Sequence, residues 1–95
     1  MTEEKKTSVI HVDPAVENGR YANAATIMHS FSEFIMDFLM LLPGDRKKVV
    51  SRIIVSPGQA KQIARALQDN IEKYEDAYGK INLPAGKGDF SGPVN

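Results

Sequence analysis

Phe31-Ser32-Glu33-Phe34-Ile35-Met36-Asp37-Phe38-Leu39-Met40-Leu41-Leu42-Pro43-Gly44-Asp45 is the richest apolar segment of the chain and admits two periods. At period two, Phe34, Met36, Phe38 and Met40 share one face, while Ile35 and Leu39 share the other with Glu33 and Asp37. At helical spacing, Phe31, Phe34, Ile35, Phe38 and Leu42 form a stripe instead. The Phe-rich content and the Pro43-Gly44-Asp45 stop favour a strand over Ser32 to Leu42.

Working outward, Lys47 to Val55 is rich in β-branched residues and reads as the next strand. On the other side, Tyr21 to Ser30 follows the turn-prone Glu17-Asn18-Gly19-Arg20 and reads as a strand. Ser8 to Val12 alternates weakly before Asp13-Pro14 and is the remaining strand candidate. After Val55, Ser56-Pro57-Gly58-Gln59 combines an N-cap, a proline at the first helical position and a capping-box Gln. Ala60, Ile63, Ala64, Leu67, Ile71, Tyr74 and Tyr78 then recur at helical spacing up to Gly79. A helix over Pro57 to Tyr78 is about 33 Å long at about 1.5 Å per residue. The expected architecture is α+β: a four-stranded antiparallel meander followed by one long helix packed on one sheet face.

Ninety-five residues allow a single domain. Residues 8–79 form it, flanked by a polar segment 1–7 and a Gly/Pro-rich tail 80–95, both expected to be flexible. Twelve basic residues balance twelve acidic ones, so the chain lacks the global basic excess of a nucleic-acid or membrane coat. It has no Cys, hence no disulfide framework, thiolate metal site or thiol nucleophile. With no signal-like segment and no apolar run near the ~20 residues that span a bilayer, a cytoplasmic location is expected.

The strands expected over Ser32 to Leu42 and Lys47 to Val55 carry large apolar residues on both faces, yet one helix covers only one. Packing between protomers is therefore expected, as a dimer or larger homo-oligomer. The alternative cover is the tail carrying Leu83 and Phe90. The helix adds a hint of its own. Lys61 and Arg65 lie in its first half, and Asp69, Glu72, Glu75 and Asp76 in its second, against the preference of the macrodipole. Two helices meeting antiparallel would set basic half against acidic half.

Arg46, Lys48, Arg52, Ser56, Lys61 and Arg65 form the candidate anion-binding cluster around a helix N-terminus. Lys48 and Arg52 stand four apart, on one face of a regular strand. Against a nucleic-acid reading, no aromatic side chain interleaves these bases for stacking, and Arg52 or Lys48 can pair with Glu33 or Asp37. His11 and His29 do not supply the ligand number that zinc needs. Glu33 and Asp37 are about 13 Å apart along a strand, too far for a cooperating dyad. No nucleotide fingerprint or nucleophile elbow is present, so neither a cofactor nor enzymatic activity is expected.

Tyr21-Ala22-Asn23, Glu33-Phe34-x-x-Asp37-Phe38, Arg52-Ile53-x-x-Ser56-Pro57-x-x-Ala60-Lys61 and Asn70-Ile71-x-x-Tyr74-Glu75 together make a pattern over about residues 20–81. In these the chain resembles a family of small prokaryotic proteins known as a domain of unknown function. The resemblance implies no activity, but it marks Tyr21, Asn23 and Asp37 as polar positions of interest beside Arg52, Ser56 and Lys61. At the level of architecture alone, strands followed by a helix are similar to the SecB-type export chaperone. The expected function is a non-catalytic, oligomeric binding or scaffold module for protein partners. Nucleic-acid or phosphate binding, and chaperone-type binding, are the alternatives.

Overall fold

A computed structural model describes residues 9–83 of the chain. Three strands and one helix follow in order: β1 (Ala24–His29), β2 (Phe34–Leu42), β3 (Arg46–Val55) and α1 (Pro57–Tyr78). The sheet is an antiparallel meander in the order β1-β2-β3. Each hairpin has a local cause. Between β1 and β2, the Ser30 hydroxyl accepts hydrogen bonds from the Ser32 and Glu33 amides, both at 3.3 Å, and the Ser30 amide donates to the Glu33 carbonyl at 2.9 Å. Between β2 and β3, Gly44 and Asp45 take left-handed φ values of 79° and 64°, which a Gly and an Asp tolerate best.

The expected fourth strand is absent from the described residues. Val9 to Val12 carry no strand, and Val9, Ile10 and Val12 are exposed. Their alternation is too weak to fix a register, and the turn that follows sends the chain elsewhere. In that turn the Val16 amide donates to the Asp13 carbonyl, while the Asp13 carboxylate accepts from the Ala15 amide, each at 2.9 Å. Residues 15–22 then run over one face of the sheet. Ala15, Val16, Gly19, Arg20 and Ala22 enclose a hollow of about 450 Å³ with Phe38, Val50, Ser51 and Ile53.

The register sorts the sheet's side chains. Asp37 lies opposite both Thr26 and Arg52, and Ile35 opposite both Met28 and Ile54, on one face. Phe34, Met36 and Phe38 look to the other face, with Ile27, Ile53 and Val55 beside them. There the rings of Phe34 and His29 stack across strands at 5.4 Å. Phe38 is paired with Ser51, yet Leu39 is paired with Val49, so Val50 is an extra residue in a β-bulge.

The helix begins and ends where the sequence places it. Ser56 is the N-cap, its hydroxyl accepting from the Gln59 amide at 3.1 Å, and Gly79 caps the far end at φ 103°. Its position differs from expectation, however. No strand packs along α1, and none of its residues is buried. The reason is the connection. Only Ser56 separates Val55 from Pro57, which is too short for the chain to reverse over the sheet it has just left. The helix therefore stands off the sheet and presents Leu67, Tyr74 and Tyr78 at 59%, 50% and 78% exposure. Of the segments 1–7 and 80–95 expected to be flexible, residues 80–83 are described, and the remainder, with Ser8, lies outside the described residues.

Candidate functional site

Among the described residues no apolar side chain is buried, and the one buried side chain is a carboxylate, Asp37. This inverts the usual order of a globular domain. Asp37 sits at the centre of β2, flanked across the sheet by Thr26 and Arg52. Arg52 grips it in a fork, Nε donating to Oδ1 at 2.7 Å and a terminal guanidinium nitrogen to Oδ2 at 2.8 Å. These hydrogen bonds hold the Asp37 carboxyl below its usual range, with burial pulling the other way and the Arg52 charge adding to the lowering. The same bonds, with the Asp37 charge, raise Arg52 further above its already high value, so both groups stay ionised.

The six members of the candidate anion cluster do not converge. Arg46 turns back to the hairpin, its Nε donating to the Pro43 carbonyl at 3.3 Å. Arg52 is taken by Asp37, and the Ser56 hydroxyl by the helix cap. Lys61 and Arg65 stand on α1, one turn apart. Lys48 and Arg52, expected on one face, are on opposite faces. Lys48 lies opposite Met40 and Arg52 opposite Asp37, because the extra residue Val50 shifts the alternation between them. The same shift moves Val49 onto the Asp37 face, opposite Leu39, and away from Ile53 and Val55. The Lys48–Arg52 separation within a continuous β-branched run gives no warning of a bulge.

The other polar positions divide as well. Asn23 extends the β1–β2 ladder with its side chain: Oδ1 accepts from the Leu41 amide at 2.8 Å and Nδ2 donates to the Leu41 carbonyl at 3.4 Å. Its own amide donates to the Leu39 carbonyl at 3.0 Å. The side chain thus does the work of a backbone peptide at the strand's start. Tyr21, by contrast, is 79% exposed. Glu75, half-buried near the end of α1, accepts from the Ile81 amide at 3.0 Å and ties the chain after Gly79 back to the helix. That role was invisible in the sequence, where Glu75 reads as one of four acids.

Among the described residues no group of three or more His, Asp or Glu could hold a metal ion, and no helix is long and apolar enough to cross a membrane. What remains is apolar area: Met28, Val49 and Ile54 on the Asp37 face, Ile27 and Ile53 on the other, and Leu67, Tyr74 and Tyr78 on the helix, each more than two-fifths exposed.

A three-stranded antiparallel meander with a free-standing C-terminal helix defines a small α+β protein whose exposed surfaces are apolar on sheet and helix alike. The chain belongs to the family described as protein of unknown function (DUF3467), which it matches over residues 1–83. No curated protein and no solved structure matches it.

Proposed function

We propose that this protein is a non-catalytic, homo-oligomeric module that binds or scaffolds protein partners. The observation that carries the proposal is the inverted burial: one carboxylate inside, and large apolar side chains left open on both sheet faces and along α1. With its apolar side chains at best half-buried among the described residues, the protomer holds little of the main favourable term of folding. Association adds to that term, because exposed apolar side chains on sheet and helix are what protein–protein contact covers.

The test is solution mass by light scattering at low and high salt, with binding of an apolar fluorescent dye measured alongside. The expected result is a multiple of 10.5 kDa that persists in high salt. A monomer that binds no dye at either salt would overturn the proposal. Assembly through charge alone would instead dissolve as salt rises, and that result would also count against apolar surfaces as the cause.

A further inference from the structure

The stripe on α1 follows a strict alternation of four-residue and three-residue steps: Ala60, Ala64, Leu67, Ile71, Tyr74, Tyr78. That is the seam of a coiled coil sustained for almost three heptads. We infer that α1 pairs antiparallel with α1 of a second copy of this chain, about a two-fold axis level with Asp69. The inference rests on the homo-oligomer reading and specifies one of its contacts.

Three features select this arrangement. About that axis every seam residue finds a partner of complementary size: Ala60 faces Tyr78 of the second copy, Ala64 faces Tyr74, and Leu67 faces Ile71. A parallel pair would stack Tyr on Tyr and Ala on Ala, leaving gaps at one end and crowding at the other. The second feature is charge. In the antiparallel pair the flanking positions on one side bring Lys61 to Glu75 of the second copy, twice by symmetry, with Gln68 meeting its own equivalent at the axis. On the opposite flank Ile63 meets Ala77, and Asn70 meets Asn70. A parallel pair aligns Ile63 with Gln68 and Asn70 with Glu75, and leaves Lys61 without an acid.

The third feature is the dipole. The first turn of α1 has no acid and its last turn no base, so each helix alone carries its charges at unfavourable ends. Antiparallel pairing sets Lys61 and Glu75 each against the opposite charge and the opposite dipole end of the neighbouring helix. Glu75 is held near the helix end, where Oε2 accepts from the Ile81 amide at 3.0 Å. Leu67, Tyr74 and Tyr78 are 50% exposed or more, whereas Ile71 and Ala60 are half-buried, so the larger part of the seam's apolar area is open to a second helix.

The experiment uses two charge-reversed full-length chains, Lys61→Glu and Glu75→Lys. Each alone puts like charges together twice per dimer, yet each improves the charge pattern of the isolated helix. Helix stability and pairing therefore move in opposite directions, which separates this mechanism from simple unfolding. Sedimentation across a dilution series should show each variant dissociating at about tenfold higher concentration than the unaltered chain. An equimolar mixture restores both ion pairs in the mixed dimer, one with reversed sign and one unchanged, and should regain the original affinity. Variants that assemble as tightly as the original, or a mixture no tighter than its components, would overturn the helix register while leaving an oligomer built by the sheet. An unaltered chain that stays monomeric at every concentration would overturn the oligomer reading and the register together.

Discussion

Replacing Leu67 with Gln tests the apolar seam at its most central position. Full burial of a leucine side chain is worth about 1.5–3 kcal/mol. Leu67 is 59% exposed in the protomer, so contact with a second helix removes roughly that fraction from water, worth about 1–2 kcal/mol per copy. A symmetric pair holds two such side chains, and their loss should cost about 2–4 kcal/mol, weakening association roughly thirty- to several-hundredfold. Gln is nearly as good a helix former as Leu, so far-UV circular dichroism of α1 should change little at concentrations where assembly persists. The assay is mass against concentration by light scattering or sedimentation. If Leu67→Gln dissociates within twofold of the unaltered concentration, Leu67 is not in the interface, and the pairing of Leu67 with Ile71 is wrong.

Two further outcomes concern the sheet. Because Asp37 is held below its usual pKa, its ionised form contributes stability that is present above about pH 4 and lost as pH falls through the depressed value. Urea midpoints of the unaltered protein should therefore fall across that acid range, whereas those of Asp37→Asn should be lower at neutral pH and flatter in acid. Asn23→Ala removes the two side-chain hydrogen bonds to Leu41 that lengthen the β1–β2 ladder, and should destabilise the fold by about 1–2 kcal/mol in urea denaturation.

The local order of this chain is written locally. Ser56, Pro57, Gln59 and Gly79 mark the helix because capping depends on residues within one turn of each other. The strand at Phe34–Leu42 follows from the Pro43-Gly44-Asp45 break and the Phe content. Opposite charge alone left Arg52 or Lys48 open to Glu33 or Asp37, and the bulge decides it, since Asp37 lies five residues before Leu42 and Arg52 six after Arg46. What depends on connections was harder to read. A one-residue link between β3 and α1 forbids the helix from lying back on its own sheet, although the helix and the strands have matching lengths. The bulge at Val50 depends on how two strands pair, and no residue in Lys48-Val49-Val50-Ser51-Arg52 announces it. Hence Lys48 and Arg52 part company although their spacing places them together. Val9 to Val12 show the opposite failure, where modest β propensity finds no neighbour to pair with.

The extra residue at Val50 acts as a parity change within a single ribbon. From Ser51 to Val55 the strand deals its residues to the two faces in one order, and from Arg46 to Val49 in the reverse order. The sheet is thereby split crosswise into two zones. Near the helix root its positive charge is concentrated on one face and neutralised there by Asp37. Near the Pro43 turn, Lys47 follows Leu41 to one side and Lys48 follows Met40 to the other, so cationic side chains fringe both apolar surfaces. An insertion or deletion of one residue in this strand would trade those surfaces, exchanging what each face offers a neighbour while leaving the ribbon's outline unchanged.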